Sequence, residues 1–456
     1  MKKNKGAIIT LVLVFGIISL ILLGSLFGFV LLQFRQSAQK LAWNQALHTA
    51  EAGINYYRWC FNNEVEGSCF VEKEYFDPGG HSMGMFSLET SSTTSCGETI
   101  TKEILSAGWT NQFPDTKRRA SVLYARTSVA RYAYLLNDNV WAGADREIRG
   151  LYHSNGGIRM DGENQSLVVS ALEEWLCTSS FGCNPSSMQP GVFTTSGNAN
   201  EDLFDFPVPP FDFDGITIDL VQIKENAQTG SVYLPLVTDI DPQGDGYHIE
   251  FKNNGTLDVW IITDLSATEA YNIQEGWHWD YFTITNEYFY NNYSIGPACS
   301  VVFVEDNVWL EGEVKGKITL ASANLIEPNE DTDVILLEDI NYTTRDGSDG
   351  LAVIAEKNIL IGPDSPDQME LMGIFIAQKG RFGRNHYVGN IREKLEITGS
   401  IVSNDRVGTK WTSGSIIISG YLKRENYIDS KLIYGYPPFT PYAEYDFKIV
   451  RWEEVE

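Results

Sequence analysis

The first long feature of the chain is an unbroken apolar run. After MKKNKG, residues 7 to 34 read AIITLVLVFGIISLILLGSLFGFVLLQF, 28 residues with no charged side chain. As a helix this run would be about 42 Å long, more than the ~30 Å of a hydrocarbon core. A cleaved secretory signal carries an apolar stretch of only about 7–15 residues. The pattern therefore predicts a retained membrane helix. Polar positions then resume in QFRQSAQKLAWNQALHTAEAGINYYRW with no helix breaker, and the first proline is Pro78. Good helix formers throughout predict one helix over residues 7–62, running on outside the membrane. Ala38, Ala42, Ala46 and Ala50 recur every four residues as one stripe of small side chains, and Gly24 and Gly28 make a GxxxG inside the span. Both patterns let helices approach closely and predict helix–helix packing. Lys2, Lys3 and Lys5 lie before the span, against Arg35 and Lys40 after it. That asymmetry favours a cytoplasmic N-terminus and an exported remainder.

Beyond residue 62 the period changes. GMFSLET, TITKEIL and RRASVLYART alternate as half-buried strands do, which predicts a small β-rich domain over 63–135. SVARYAYLL fits a strand or a short helix, and ITIDLVQIKENAQ (216–228) is a candidate helix. From 136 to about 440 short fragments repeat: HSNGGIRMDG (153–162), FVEDNVWLEG (303–312), IAEKNILIG (354–362), IAQKGRFG (376–383) and IVSNDRVG (401–408). Each has a short apolar strand, a polar corner, a second strand and a Gly. Ile354 to Ile376 is 22 residues and Ile376 to Ile401 is 25. Such spacing suits one coil of a right-handed parallel β-helix, with a β-sandwich as the alternative. Residues 163–300 fit the repeat poorly and read as an insertion, and YDFKIVRW within 441–456 reads as a closing strand. The expected fold is mainly β with a long N-terminal helix.

Composition changes this picture in two ways. With 34 basic and 60 acidic residues the formal net charge is −26, which makes nucleic acid a poor partner. Six cysteines with no CxxC argue against a zinc site. Cys60 with Cys69, and Cys177 with Cys183, are near enough in sequence to be local disulfides of an exported domain.

The basic leader ending in Gly6, the apolar helix, and the continuation closing on Ala50-Glu51-Ala52-Gly53 together resemble the N-terminus of PilX-like minor pilins of type IV pili. This resemblance implies cleavage by a prepilin peptidase between Gly6 and Ala7. It also implies packing of the helix with other pilins, under the pilus assembly machinery. Major pilins carry a glutamate five residues into the mature chain; here that position is Leu11, which suits a minor subunit. HSNGGIRMDG, VFVEDNVWLEG and the PPF…WEE ending resemble large PilX-like proteins with β-helical ectodomains. The role implied is structural, in assembly or adhesion of a surface filament.

Candidate chemistry is sparse. Six histidines show no ligand spacing, and HExxH, GxSxG and P-loop motifs are absent, so no enzyme is expected. Asp205, Asp212, Asp214 and Asp219 could supply a carboxylate pair only if they converge in a cleft. DIDPQGDGYHIE places Asp239, Asp241 and Glu250 at positions 1, 3 and 12 of a calcium loop, but strand-like flanks favour a plain turn over a Ca2+ site. EGWHWDYFTITNEYFYNNY (275–293) concentrates aromatics that either fill a core or present a surface for a glycan.

Overall fold

The computed structural model describes residues 5–63, 72–213, 220–296, 299–327, 330–414 and 416–455. The chain is mainly β with one long N-terminal helix. It divides into two compact units. The first comprises Met1–Thr93, Thr101–Ala125 and Lys448–Glu456, the second Thr94–Ile100 and Arg126–Phe447.

In the first unit, helix α1 (Lys5–Asn62) runs without interruption through the apolar span and the alanine stripe. Among the described residues it is the one helix long and apolar enough to cross a membrane, with a mean hydropathy of 2.7 in its most apolar window. Its apolar side chains from Ile9 to Phe34 are exposed. Strands β1 (Lys73–Phe76), β2 (Ser82–Ser95), β3 (Glu98–Thr110) and β4 (Phe113–Ser128) form a five-stranded sheet completed by Tyr442–Val455, in the order β1-β2-β3-β4 and then the C-terminal strand. The closing strand at 441–456 thus completes this sheet.

Ala42, Ala46 and Ala50 are buried, together with Ile54 and Tyr57 on the same face. The partner of this part of the stripe is a sheet and not another helix. A Cβ built on Gly108 of β3 would lie 2.3 Å from the Ala50 amide nitrogen. Small side chains on the helix and a glycine on the strand let the two backbones touch. Ala38 is exposed, and a Cβ at Gly24 or Gly28 would meet nothing within 4 Å.

The second unit is built from large mixed sheets in which parallel pairing predominates. One column of hydrogen-bonded neighbours runs Val232, Val302, Leu320, Val353, Phe375, Ile401, Tyr134, Tyr152 and Val168. Every member is buried. Runs such as VVFV, GLAVIA and GIFIA are buried at each position, as expected of parallel strands covered on both faces. A second row joins Gly246–Phe251, Val308–Val314, Val334–Tyr342, Ile359–Ile361 and Phe382–Gly383, again in parallel. Four of the repeated fragments, those from 303 onward, lie where the chain leaves the first row, turns a corner and enters the second, and HSNGGIRMDG leads from the first row into a separate three-stranded sheet.

Stack order departs from chain order. Tyr132–Leu136 pairs with Ile391–Ser403, so the earliest coils in sequence follow the latest in space. Residues 163–300 are therefore not one insertion. Val168–Ser170, Phe204–Asp205, Val232–Leu234 and Gly246–Phe251 all join the parallel rows, while Glu174–Cys177 with Ser187–Pro190 and Thr256–Asn272 with Gly276–Ser294 form antiparallel hairpins. SVARYAYLL is both things expected of it, a 3-10 turn at Val129–Arg131 and a strand from Tyr132. The candidate helix at 216–228 is α2 (Leu220–Gly230), held by buried Ile223 and Ala227; its first residues lie outside the described ones.

Candidate functional site: a groove beside a strap

The corners carry a chain of side-chain caps. The Asn307 Oδ1 accepts from the Asp333 amide (2.8 Å), the Asp333 Oδ1 from the Asn358 amide (2.9 Å), and the Asn358 Oδ1 from the Arg381 amide (3.0 Å). Each residue stands just before the second-row strand of its own coil, so each caps the next coil's corner. Asn and Asp suit this place because a short side chain reaches a neighbouring backbone N–H without leaving the turn. Burial raises the Asp333 carboxyl above the ordinary carboxylate value, even against its hydrogen bonds from Asn358. The result is a polar row along the stacking direction, about 4.8 Å per coil.

The antiparallel hairpin Thr256–Asn272 and Gly276–Ser294 crosses this row as a strap. One end pairs with Gly246–Phe251, and the other pairs Ala270 with Tyr387 and Tyr271 with His386. Between the ends, Phe282 and Ile284 pack on Trp309 and Ile335 of the second row, and the Trp309 indole donates to the Phe282 carbonyl at 2.8 Å. Near the far end Asp280 is buried. Its Oδ2 accepts from Asn385 (2.7 Å) and Tyr387 (2.8 Å), and its Oδ1 lies 3.0 Å from His278 Nε2. Arg381 donates in turn to Asn385.

His278, Asp280 and Phe282 take the inner side of the strap, so strand alternation puts Trp277, Trp279 and Tyr281 on the outer side. These three are 56%, 60% and 56% exposed. The aromatic run is therefore not core packing along its whole length. Trp279 and Tyr281 border a groove of about 580 Å³ whose floor is the capped row of Asn307, Asp333, Asn358 and Arg381. That volume lies within the ordinary range for a ligand site.

A histidine clamps the near end of the strap. His248 Nδ1 lies 2.9 Å from Glu287 and Nε2 lies 3.3 Å from Glu311, while its ring stacks on Trp260. Burial pushes the His248 pKa down, but Glu311 and Glu287 outweigh it and the net direction is up. A raised folded-state pKa means the clamp contributes fully below the unfolded value of about 6.5, and its contribution is lost as pH rises through the folded value. Hydrogen exchange of the segment 256–294 should therefore speed up on going from pH 6 to pH 8, beyond the intrinsic chemical rate. The His248→Gln variant should lose that extra pH dependence; an unchanged profile in the variant would rule out the clamp.

The sequence candidates are scattered relative to this groove. Asp241 accepts from the Gln243 amide and from Tyr288, and Glu250 is paired with Lys252. Asp239 ends a 3-10 turn, so the three do not converge as a calcium loop. No group of three or more metal-ligating side chains occurs among the described residues. Asp205 lies in a short ladder strand beside Val169; Asp214 and Asp219 lie outside the described residues. Cys177 and Cys183 are bonded to each other, and Cys96 is bonded to Cys299. Cys60 is disulfide-bonded as well, and Cys69 lies outside the described residues. Asn307 and Asn358 were present in the repeated fragments as corner residues; Asp333 sits in DTDVILL, which shows no fragment signature.

No family model matches the chain, and no curated protein does. Among solved structures, the competence-associated pilin ComZ from Thermus thermophilus is similar at a TM-score of 0.33 and 13% identity, over 91% of this chain and 97% of that one.

Proposed function

We infer that this chain is a minor pilin of PilX-like type, a structural subunit of a type IV pilus or related surface filament, without enzymatic activity. The observation that carries the reading is the division of labour along α1. Its first half exposes an unbroken apolar surface from Ile9 to Phe34, while its second half lays Ala42, Ala46 and Ala50 on the sheet of the first unit. An apolar rod attached at one end to a folded head needs a non-aqueous surround, first a bilayer and then the helices of neighbouring subunits. The N-terminus is cytoplasmic in this reading, and the head is exported. Stacked parallel rows with capped corners support a right-handed parallel β-helix for the second unit. Leu11, in place of a carboxylate, makes the subunit a minor one.

Cleavage tests this directly. The protein extracted from membranes of its own cell should begin at Ala7, and deletion of the prepilin peptidase should leave Met1 or Lys2 at the N-terminus. An uncleaved N-terminus in the presence of the peptidase would sink the reading. Expected partners are other pilins, recoverable by crosslinking through α1 from sheared filaments.

A further inference from the structure

We propose that the groove beside the strap binds an extended glycan chain free of acidic groups. Three features of the second unit converge on that chemistry. Trp279 and Tyr281 stand one strand repeat apart, about 7 Å, on the exposed side of the strap and border the groove. Flat aromatic faces left in water at a groove edge are suited to the apolar C–H face of a pyranose ring. The floor is complementary in a second way. Asn307, Asp333 and Asn358 offer planar amide and carboxylate groups from successive levels of the stack, spanning roughly 10 Å. Planar groups of this kind pair with neighbouring hydroxyls, and a row of them reads a polymer better than a compact ligand.

The charges select among polymers. Asp331, Asp333 and Asp405 line the groove with Glu275. Of the three cations there, Lys379 is engaged by Asp331 and Glu356 and Arg381 by Asn385, and Lys357 is outnumbered by the carboxylates, which also include Asp245 and Asp280. An anionic chain would meet more carboxylates than cations in the groove, in a protein of net charge −26. That disfavours uronate polymers and nucleic acid alike. The floor itself is rigid, because its side chains also cap backbone amides, so little ordering is needed on binding. This inference stands apart from the filament reading: a groove on a tethered head would serve equally on a membrane or on a pilus.

The test uses the full chain in detergent micelles and follows tryptophan fluorescence and calorimetric heat. The probes are chito-oligosaccharides with and without N-acetylation, cello-oligosaccharide, polygalacturonate and a single-stranded oligonucleotide. Saturable binding of at least one non-acidic oligosaccharide is expected, weakened about tenfold in Trp279→Ala and in Tyr281→Ala. Both side chains are more than half exposed, so the variants should fold as the parent does. Phe289→Ala, an exposed aromatic of the same strand away from the groove, should bind as the parent does. Silence with every non-acidic probe, equal binding by the two groove variants, or preference for polygalacturonate or the oligonucleotide would each overturn the proposal.

Discussion

Replacing Gly108 by valine is expected to separate helix from sheet in the first unit and to lower its stability by about 3 kcal/mol or more. A Cβ at this position would stand 2.3 Å from the Ala50 nitrogen and 2.4 Å from the Ala46 oxygen. Both atoms are backbone of a continuous helix, so neither can rotate aside as a side chain would. Ala46 and Ala50 are fully buried and already as small as a chiral residue can be. Relief therefore requires the helix to lift, which uncovers the surfaces of Ile54, Tyr57 and Ile104 together. Gly197→Ala is the matched control, because a Cβ there meets nothing within 4 Å. Urea unfolding of the full chain in detergent, followed by tryptophan fluorescence, reads the difference. A Gly108→Val midpoint within error of the control would show that the close approach is not what holds the helix.

The helix and its small-residue face were legible because the signal is local and has a short period. What the stripe packs against was not. A row of alanines says only that something comes close, and here Gly108, 58 residues beyond Ala50, supplies the other half. The parallel rows were legible in the same partial way. Strand, polar corner and glycine recur wherever a coil turns, but the order of coils depends on pairings such as Ile401 with Tyr134 that leave no trace in spacing. LNDNVWAG (136–143) is a further corner of the same kind, and its second strand, Val140–Ala142, pairs with Ile158–Met160 of the HSNGGIRMDG fragment in a separate small sheet.

The aromatic run was ambiguous in the sequence for a different reason. WHWDYF alternates cleanly, but with the polar residues inward. His278 and Asp280 face Asn385 and Tyr387, and the tryptophans face water. A rule that sends apolar residues inward assigns the aromatic run to a core. The buried hydrogen-bond set around Asp280 reverses the faces, since an unpaired carboxylate there would be far more costly than an exposed indole.

Removing the Cys96–Cys299 bond should destabilise the second unit by about 4 kcal/mol. The bond closes a loop of 203 residues, for which the chain-entropy picture gives a ceiling of roughly 5 kcal/mol; the Cys177–Cys183 loop of 6 residues gives only about 2 kcal/mol. The local environment of Cys96 points the same way. Cys96 and Gly97 are the two residues joining β2 to β3, with φ of 50° and 85°. A two-residue connection with both φ positive favours Asn-Gly, and a cysteine in its first place is mildly strained. Its presence is accounted for by the sulfur it must deliver to Cys299. The two contributions can be separated. Cys96→Asn with Cys299→Ser relieves the turn and loses the bond, whereas Cys96→Ser with Cys299→Ser only loses it. Both double variants should unfold at markedly lower urea than the parent, the asparagine version less severely, and a thiol reductant should shift the parent in the same direction. Loss of the Cys177–Cys183 pair should shift the midpoint by about half as much. If the short-range pair proved equally damaging, loop closure would not be the source of the stabilisation.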